Sequence, residues 1–135
     1  EVLIIADKTG HADWIAADLL AQAEHDASAQ SILITDSAAL ADEVEKAVAS
    51  QLKSLPRGEI AAASWRDYGA IITVPKLADA IELSDRIAPE HLEIAADNAE
   101  ALVPRIRNAG AIFIGAHTPE GIWQEHKHLA ERVIA

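Results

Sequence analysis

Val2 to Ala6, Ser31 to Thr35, Ala70 to Val74, Leu92 to Ala95 and Ala111 to Gly115 are short aliphatic runs, and longer stretches of helical periodicity separate them. Each run is nearly continuous in its apolar character, as a strand buried on both faces must be. The intervening lengths suit crossover helices, which join parallel strands and pack on both sides of the sheet. The expected fold is an α/β three-layer sandwich with a mostly parallel five-stranded sheet, Rossmann-like or flavodoxin-like. One domain spanning residues 1–135 is the natural division of a chain this size.

The helical stretches carry apolar stripes that should face the sheet. From Ala12 to about Glu24 the stripe is Ile15, Ala16, Leu19, Leu20 and Ala23; in the next helix it is Leu40, Val44, Val48 and Leu52. Trp14 and Asp18 lie off the first stripe, on a lane expected to face a cleft, a partner or solvent. Asp36 or Ser37 is suited to cap the second helix, and Thr118 followed by Pro119 to start the last one. Ser54 to Gly58 reads as a turn and Ile60 to Asp67 as a further short helix. Pro104 interrupts the pattern Leu102, Val103, Ile106, Ala109, so that helix should kink or begin late, and Gly110 should stop it.

Charge and composition exclude several function classes. With 11 Lys and Arg against 22 Asp and Glu, the net charge of -11 opposes binding to nucleic acid or to an anionic membrane. There is no cysteine, so a metal site must use imidazole, carboxylate, amide or water. No apolar run approaches a membrane span, and no basic stretch precedes the opening run in the manner of a signal peptide. A cytoplasmic protein is expected.

Several constellations could carry chemistry. Glu90 and His91, within Pro89-Glu90-His91-Leu92-Glu93, stand side by side where a helix-to-strand corner begins an apolar run. A carboxylate can activate water while an imidazole moves protons near neutral pH; taken alone, the pair reads more plainly as a solvated structural corner. Gln22 and His25 are one helical turn apart and share a face, able to converge on one ion. Spacing alone favours an ordinary polar outer face for them. In the tail Trp123-Gln124-Glu125-His126-Lys127-His128, Gln124 and His128 have an i, i+4 chelating spacing, against an amphipathic helix as the plainer reading. His117 follows the fifth strand, at an edge suited to a site. His11 sits in Asp7-Lys8-Thr9-Gly10-His11 after the first strand, where open α/β sheets place ligands. That loop has neither G-x-G-x-x-G nor a G-K-[ST] ending, which argues against ordinary nucleotide binding, and His11 is expected simply to begin the helix. Pro75 ends the third strand where a receiver domain would need its phosphoacceptor Asp.

Glu1 to Asp7, Ala21-Gln22-Ala23-Glu24-His25-Asp26, Ala88-Pro89-Glu90-His91-Leu92-Glu93 and Arg105 to Phe113, taken together and in order, resemble histidinol dehydrogenase. The resemblance runs from Glu1 to about Glu120 and covers only part of a complete enzyme of that family. It implies oxidation of L-histidinol to L-histidine in two NAD-dependent steps, with Zn2+ positioning the substrate. By the same resemblance Gln22 and His25 match two zinc ligands, Glu90 the residue that activates water for the second oxidation, and His91 the general acid-base.

The resemblance also has a boundary. After Thr118-Pro119-Glu120 the family continues with a Gly-Asp-Tyr segment whose Asp completes the zinc shell, whereas this chain reads Gly121-Ile122-Trp123-Gln124-Glu125. Gln124 aligns with the missing ligand, and His128 is a further candidate. The His ligand that the family's partner subunit supplies has no counterpart, nor has the half of the enzyme that forms the cofactor cleft. NAD is therefore not expected to bind this chain alone. The expectation is a truncated or engineered domain, 1–120, closed by an atypical helix over 121–135, occurring as a monomer or homodimer and inactive by itself. The alternatives are a small metal- or ligand-binding module, or a dehydrogenase part that needs complementation.

Overall fold

The computed structural model describes residues 2–25, 30–56, 58–97 and 99–114, with the backbone alone for Glu24 and His25. Within them, β1 (Val2–Ala6), α1 (Ala12–His25), β2 (Ser31–Thr35), α2 (Ala38–Leu52), α3 (Gly58–Tyr68), β3 (Gly69–Thr73), α4 (Leu77–Ile87), β4 (His91–Ala95), α5 (Ala99–Leu102) and β5 (Ala111–Ile114) follow in order. The expected fold class is borne out. The strands form one five-stranded sheet in the order β3-β2-β1-β4-β5, and every pairing is parallel.

The strands read as continuous apolar runs because both faces are covered. Along β1, side chains alternate between two cores: Val2, Ile4 and Ala6 join Ile15, Leu19, Leu20, Val44 and Val48, while Leu3 and Ile5 join Ile34, Ile81, Leu92, Ile94 and Ile112. This alternation is the period-2 geometry of a strand. Burial of each such side chain contributes about 1.5–3 kcal/mol, so the central strands anchor both layers. The stripe of α1 is fully buried as expected, and α1 packs against both α2 and α3. That packing corrects the expectation for Asp18: the flank it occupies is covered, and Asp18 is only 8% exposed.

Local signals explain the ends of the elements. Ser37, rather than Asp36, caps α2, its hydroxyl accepting from the Leu40 N–H at 3.1 Å. Helix α4 starts with the Asp79 carboxylate accepting the Lys76 N–H at 3.2 Å. It ends at Ala88, which is left-handed (φ 53°, ψ 60°) and donates its N–H to the Ser84 carbonyl at 2.8 Å. Pro104 has a larger effect than a kink. Helix α5 gives way to a 3-10 turn at Val103–Arg105, and Ile106 is already extended. Gly110 therefore does not stop a helix. It lies in the turn leading into β5, where the space it leaves is used by the neighbouring corner. Thr118, Pro119 and the expected helix over 121–135 lie outside the described residues.

Candidate functional site at the amino edge of the sheet

Strand register draws a row across the amino ends of the strands: Gly69, Ser31, Val2, His91 and Ala111 are neighbours in that order. His91 thus opens β4 beside the first residue of the central strand. His91, Glu93 and Ala95 share a face by the period of two, and Ala95 packs into the core beneath α1. The His91 and Glu93 side chains therefore belong to the α1 face of the sheet.

Helix α1 returns from the carboxyl edge to this amino edge. The Ser31 hydroxyl, on the first residue of β2, donates to the Leu19 carbonyl at 3.0 Å, which ties the last turns of α1 to the row of strand starts. Gln22, half-buried, lies one turn beyond Leu19, and the helix backbone continues to His25. The fold thus brings the C-terminal turn of α1 and His91 to one edge and one face, with Glu90 at the same edge. The His25 side chain lies outside the described atoms, as do Gln124, His128 and His117. Among the described residues, no three His, Asp or Glu side chains cluster closely enough to hold a metal ion.

At the corner, Glu90 and His91 are both exposed. The imidazole lies against the Phe113 ring, with centroids 5.8 Å apart and planes 24° from parallel. Glu93, half-buried, adds a carboxylate on the same strand face. Sequence reasoning missed it, although the alternation of β4 was the signal that could have found it. An accessible carboxylate and imidazole adjacent in the chain, with a second carboxylate two residues on, can accept and return protons to a molecule held at this edge.

The opposite edge is organised differently. The Asp7 carboxylate accepts from the Thr9 N–H at 2.9 Å, from the Thr9 hydroxyl, and from the Asp97 N–H at 3.1 Å. It thereby ties the loops after β1 and β4 together at the point where the strand order reverses. His11 precedes α1 as expected and stacks on Trp14, with centroids 4.2 Å apart and planes 16° from parallel. An open concavity lies between Gly10–Asp13 and Glu43–Ala47. Neither Glu90 nor His91 nor Gln22 is at that edge.

Fold and site together define a Rossmann-like α/β domain whose polar pair stands at the amino edge, away from the crevice that open sheets ordinarily use. A sequence profile of the histidinol dehydrogenase family matches residues 1–124, and the chain belongs to that family. Histidinol dehydrogenase of Bradyrhizobium diazoefficiens is 72% identical over 122 residues, 90% of this chain and 28% of that protein. The Rhizobium meliloti enzyme is 69% identical over the same length and shares. The crystal structure of histidinol dehydrogenase from Elizabethkingia anophelis superposes with a TM-score of 0.83 at 38% identity, covering 89% of this chain and 28% of that one. The chain thus spans 28% of the length of these relatives. No helix among the described residues is long and apolar enough to cross a membrane.

Proposed function

We propose that this chain carries the acid-base corner and part of the zinc shell of a histidinol dehydrogenase, which converts L-histidinol to L-histidine, and that it does not turn over by itself. The observation that carries the reading is that β1 pairs with β4 in a register setting Val2 beside His91, which puts the Glu90–His91 corner on the edge where α1 ends. Membership of the family supports the same assignment.

The donor chemistry suits zinc in part. Gln22, with an amide oxygen, and His25, with an imidazole nitrogen, stand three residues apart on one helix and would together hold part of a zinc shell. When bound, zinc would hold the substrate hydroxyl and NAD would take up hydride. The chain's own part is proton traffic. In the first oxidation His91 accepts the hydroxyl proton as the carbinol carbon loses hydride. In the second, Glu90 takes a proton from water as that water's oxygen bonds to the aldehyde carbon, and a second hydride leaves. The net change is an alcohol and water converted to a carboxylic acid with the loss of two hydrides and two protons. A cytoplasmic setting agrees with this chemistry.

The test combines zinc calorimetry on the metal-free chain with histidinol-dependent reduction of NAD, assayed alone and after addition of a polypeptide carrying the remainder of a relative. Turnover that appears only on mixing and is lost in Glu90→Gln and His91→Asn supports the proposal. Zinc binding indifferent to Gln22→Ala and His25→Ala, with no turnover at any stoichiometry, would sink it.

A further inference from the structure

Only Ala88 and Pro89 separate the end of α4 from Glu90, and a corner that short needs its backbone held if the Glu90 and His91 side chains are each to keep a fixed direction. The holding elements are in the loop before β5. Asp85, in the last turn of α4, accepts the N–H of Arg107 at 2.9 Å and of Asn108 at 3.1 Å through a single carboxylate oxygen, and the Asn108 side-chain amide donates back to the Asp85 carbonyl at 3.1 Å. This clamp delivers Gly110 and Ala111 to the corner. The Gly110 N–H donates to the Pro89 carbonyl at 3.0 Å, and the Ala111 N–H to the Glu90 carbonyl at 2.8 Å.

Gly110 is required there for space. No glycine among the described residues has a positive φ, yet a Cβ on Gly110 would stand 2.6 Å from the Glu90 carbonyl oxygen and 3.3 Å from the Glu90 Cα. On the other side, Ala88 turns the chain through the left-handed region and Pro89 is buried. The Glu90 backbone is thus confined by the α4 terminus before it and the Asn108–Ala111 turn beside it.

We infer that Asp85, Asn108 and Gly110 are positioning residues for the Glu90–His91 pair, acting through the backbone of the corner without touching substrate or metal. Their functional meaning rests on the role proposed above for that pair. The loop sequence Arg107-Asn108-Ala109-Gly110 thereby gains a structural purpose, since Asn108 and the Arg107 N–H engage Asp85 while Gly110 admits the Glu90 carbonyl.

The test is nuclear magnetic resonance on the whole chain, comparing Asp85→Ala, Asp85→Asn and Gly110→Ala with the unsubstituted protein. Asp85→Ala should speed exchange of the Ala111 amide roughly tenfold beyond any change in the β2 amides, by removing hydrogen bonds to a charged acceptor. It should also shift the His91 ring resonances, which report the position of the imidazole over Phe113. Asp85→Asn keeps an acceptor oxygen and should restore most of both signals. Gly110→Ala should shift the His91 resonances with the Asp85 clamp intact, and it decides alone should Asp85→Ala not fold. His91 resonances unmoved by Gly110→Ala, or Ala111 and β2 amides accelerating together in Asp85→Ala, would overturn the inference. These readouts need neither zinc nor turnover, so a failed clamp leaves the catalytic reading to its own assay, and a failed catalytic reading leaves the clamp measurable.

Discussion

The His91 imidazole rests on the Phe113 ring at a centroid separation of 5.8 Å, so an exposed side chain at the start of β4 has one wall fixed by the neighbouring strand. Such a contact contributes about 0.5–1.5 kcal/mol beyond the area it buries. Phe113→Leu should therefore cost about 1 kcal/mol in chemical denaturation. It should also abolish the ring-current displacement of the His91 protons in magnetic resonance spectra. Unchanged His91 shifts would mean that the rings do not meet in solution.

Ala88 is the one non-glycine residue of positive φ among those described, and a Cβ in that conformation costs about 1–2 kcal/mol. Replacing it with glycine removes the clash and adds some freedom to the unfolded chain. Ala88→Gly should raise stability by about 1 kcal/mol, read as a higher denaturation midpoint with an unchanged slope. A lower midpoint would show that the α4 terminus does not adopt this turn.

Gly69 admits no side chain, because a Cβ would fall 2.3 Å from the Trp65 ring and 2.6 Å from the Trp65 carbonyl. The indole and the start of β3 cannot both stay in place. Gly69→Ala should destabilise by about 1–3 kcal/mol, the cost of overpacking, with a change in Trp65 fluorescence. Wild-type stability would contradict the packing of α3 against β3.

Asp7 joins two loops through three hydrogen bonds at the carboxyl edge. Asp7→Ala should cost about 2 kcal/mol, since bonds to a charged acceptor are stronger than neutral ones. The Asp97 amide should lose its protection from exchange at the same time. A loss confined to the Thr9 amide would mean that the carboxylate holds only its own turn.

The sheet was readable because its strands are buried on both faces. β1 and β2 fall on the expected residues, β3 and β4 within one residue of them, and β5 starts at Ala111. The α5 region was misread because Leu102, Val103, Ile106 and Ala109 keep an apolar rhythm after Pro104 has already ended the helix. Ala88 offered no signal, since left-handed turns usually announce themselves with glycine or asparagine. The Glu90–His91 pair and the Gln22, His25 spacing were legible as local motifs. Their common edge was not, because it depends on β4 crossing back to lie beside β1, a long-range choice that no window of sequence contains. The meeting of Asp85 with Asn108 was hidden for the same reason.

Asp7, just past the end of β1, and His91, at the start of β4, lie at opposite ends of the sheet, separated by the length of a five-residue strand, or roughly 16 Å. At that separation perturbations with no shared partners add without coupling. The two rims can therefore be handled as independent workbenches. A fluorophore or affinity handle attached at exposed Lys8 should report on or immobilise the domain while leaving the Glu90–His91 rim untouched.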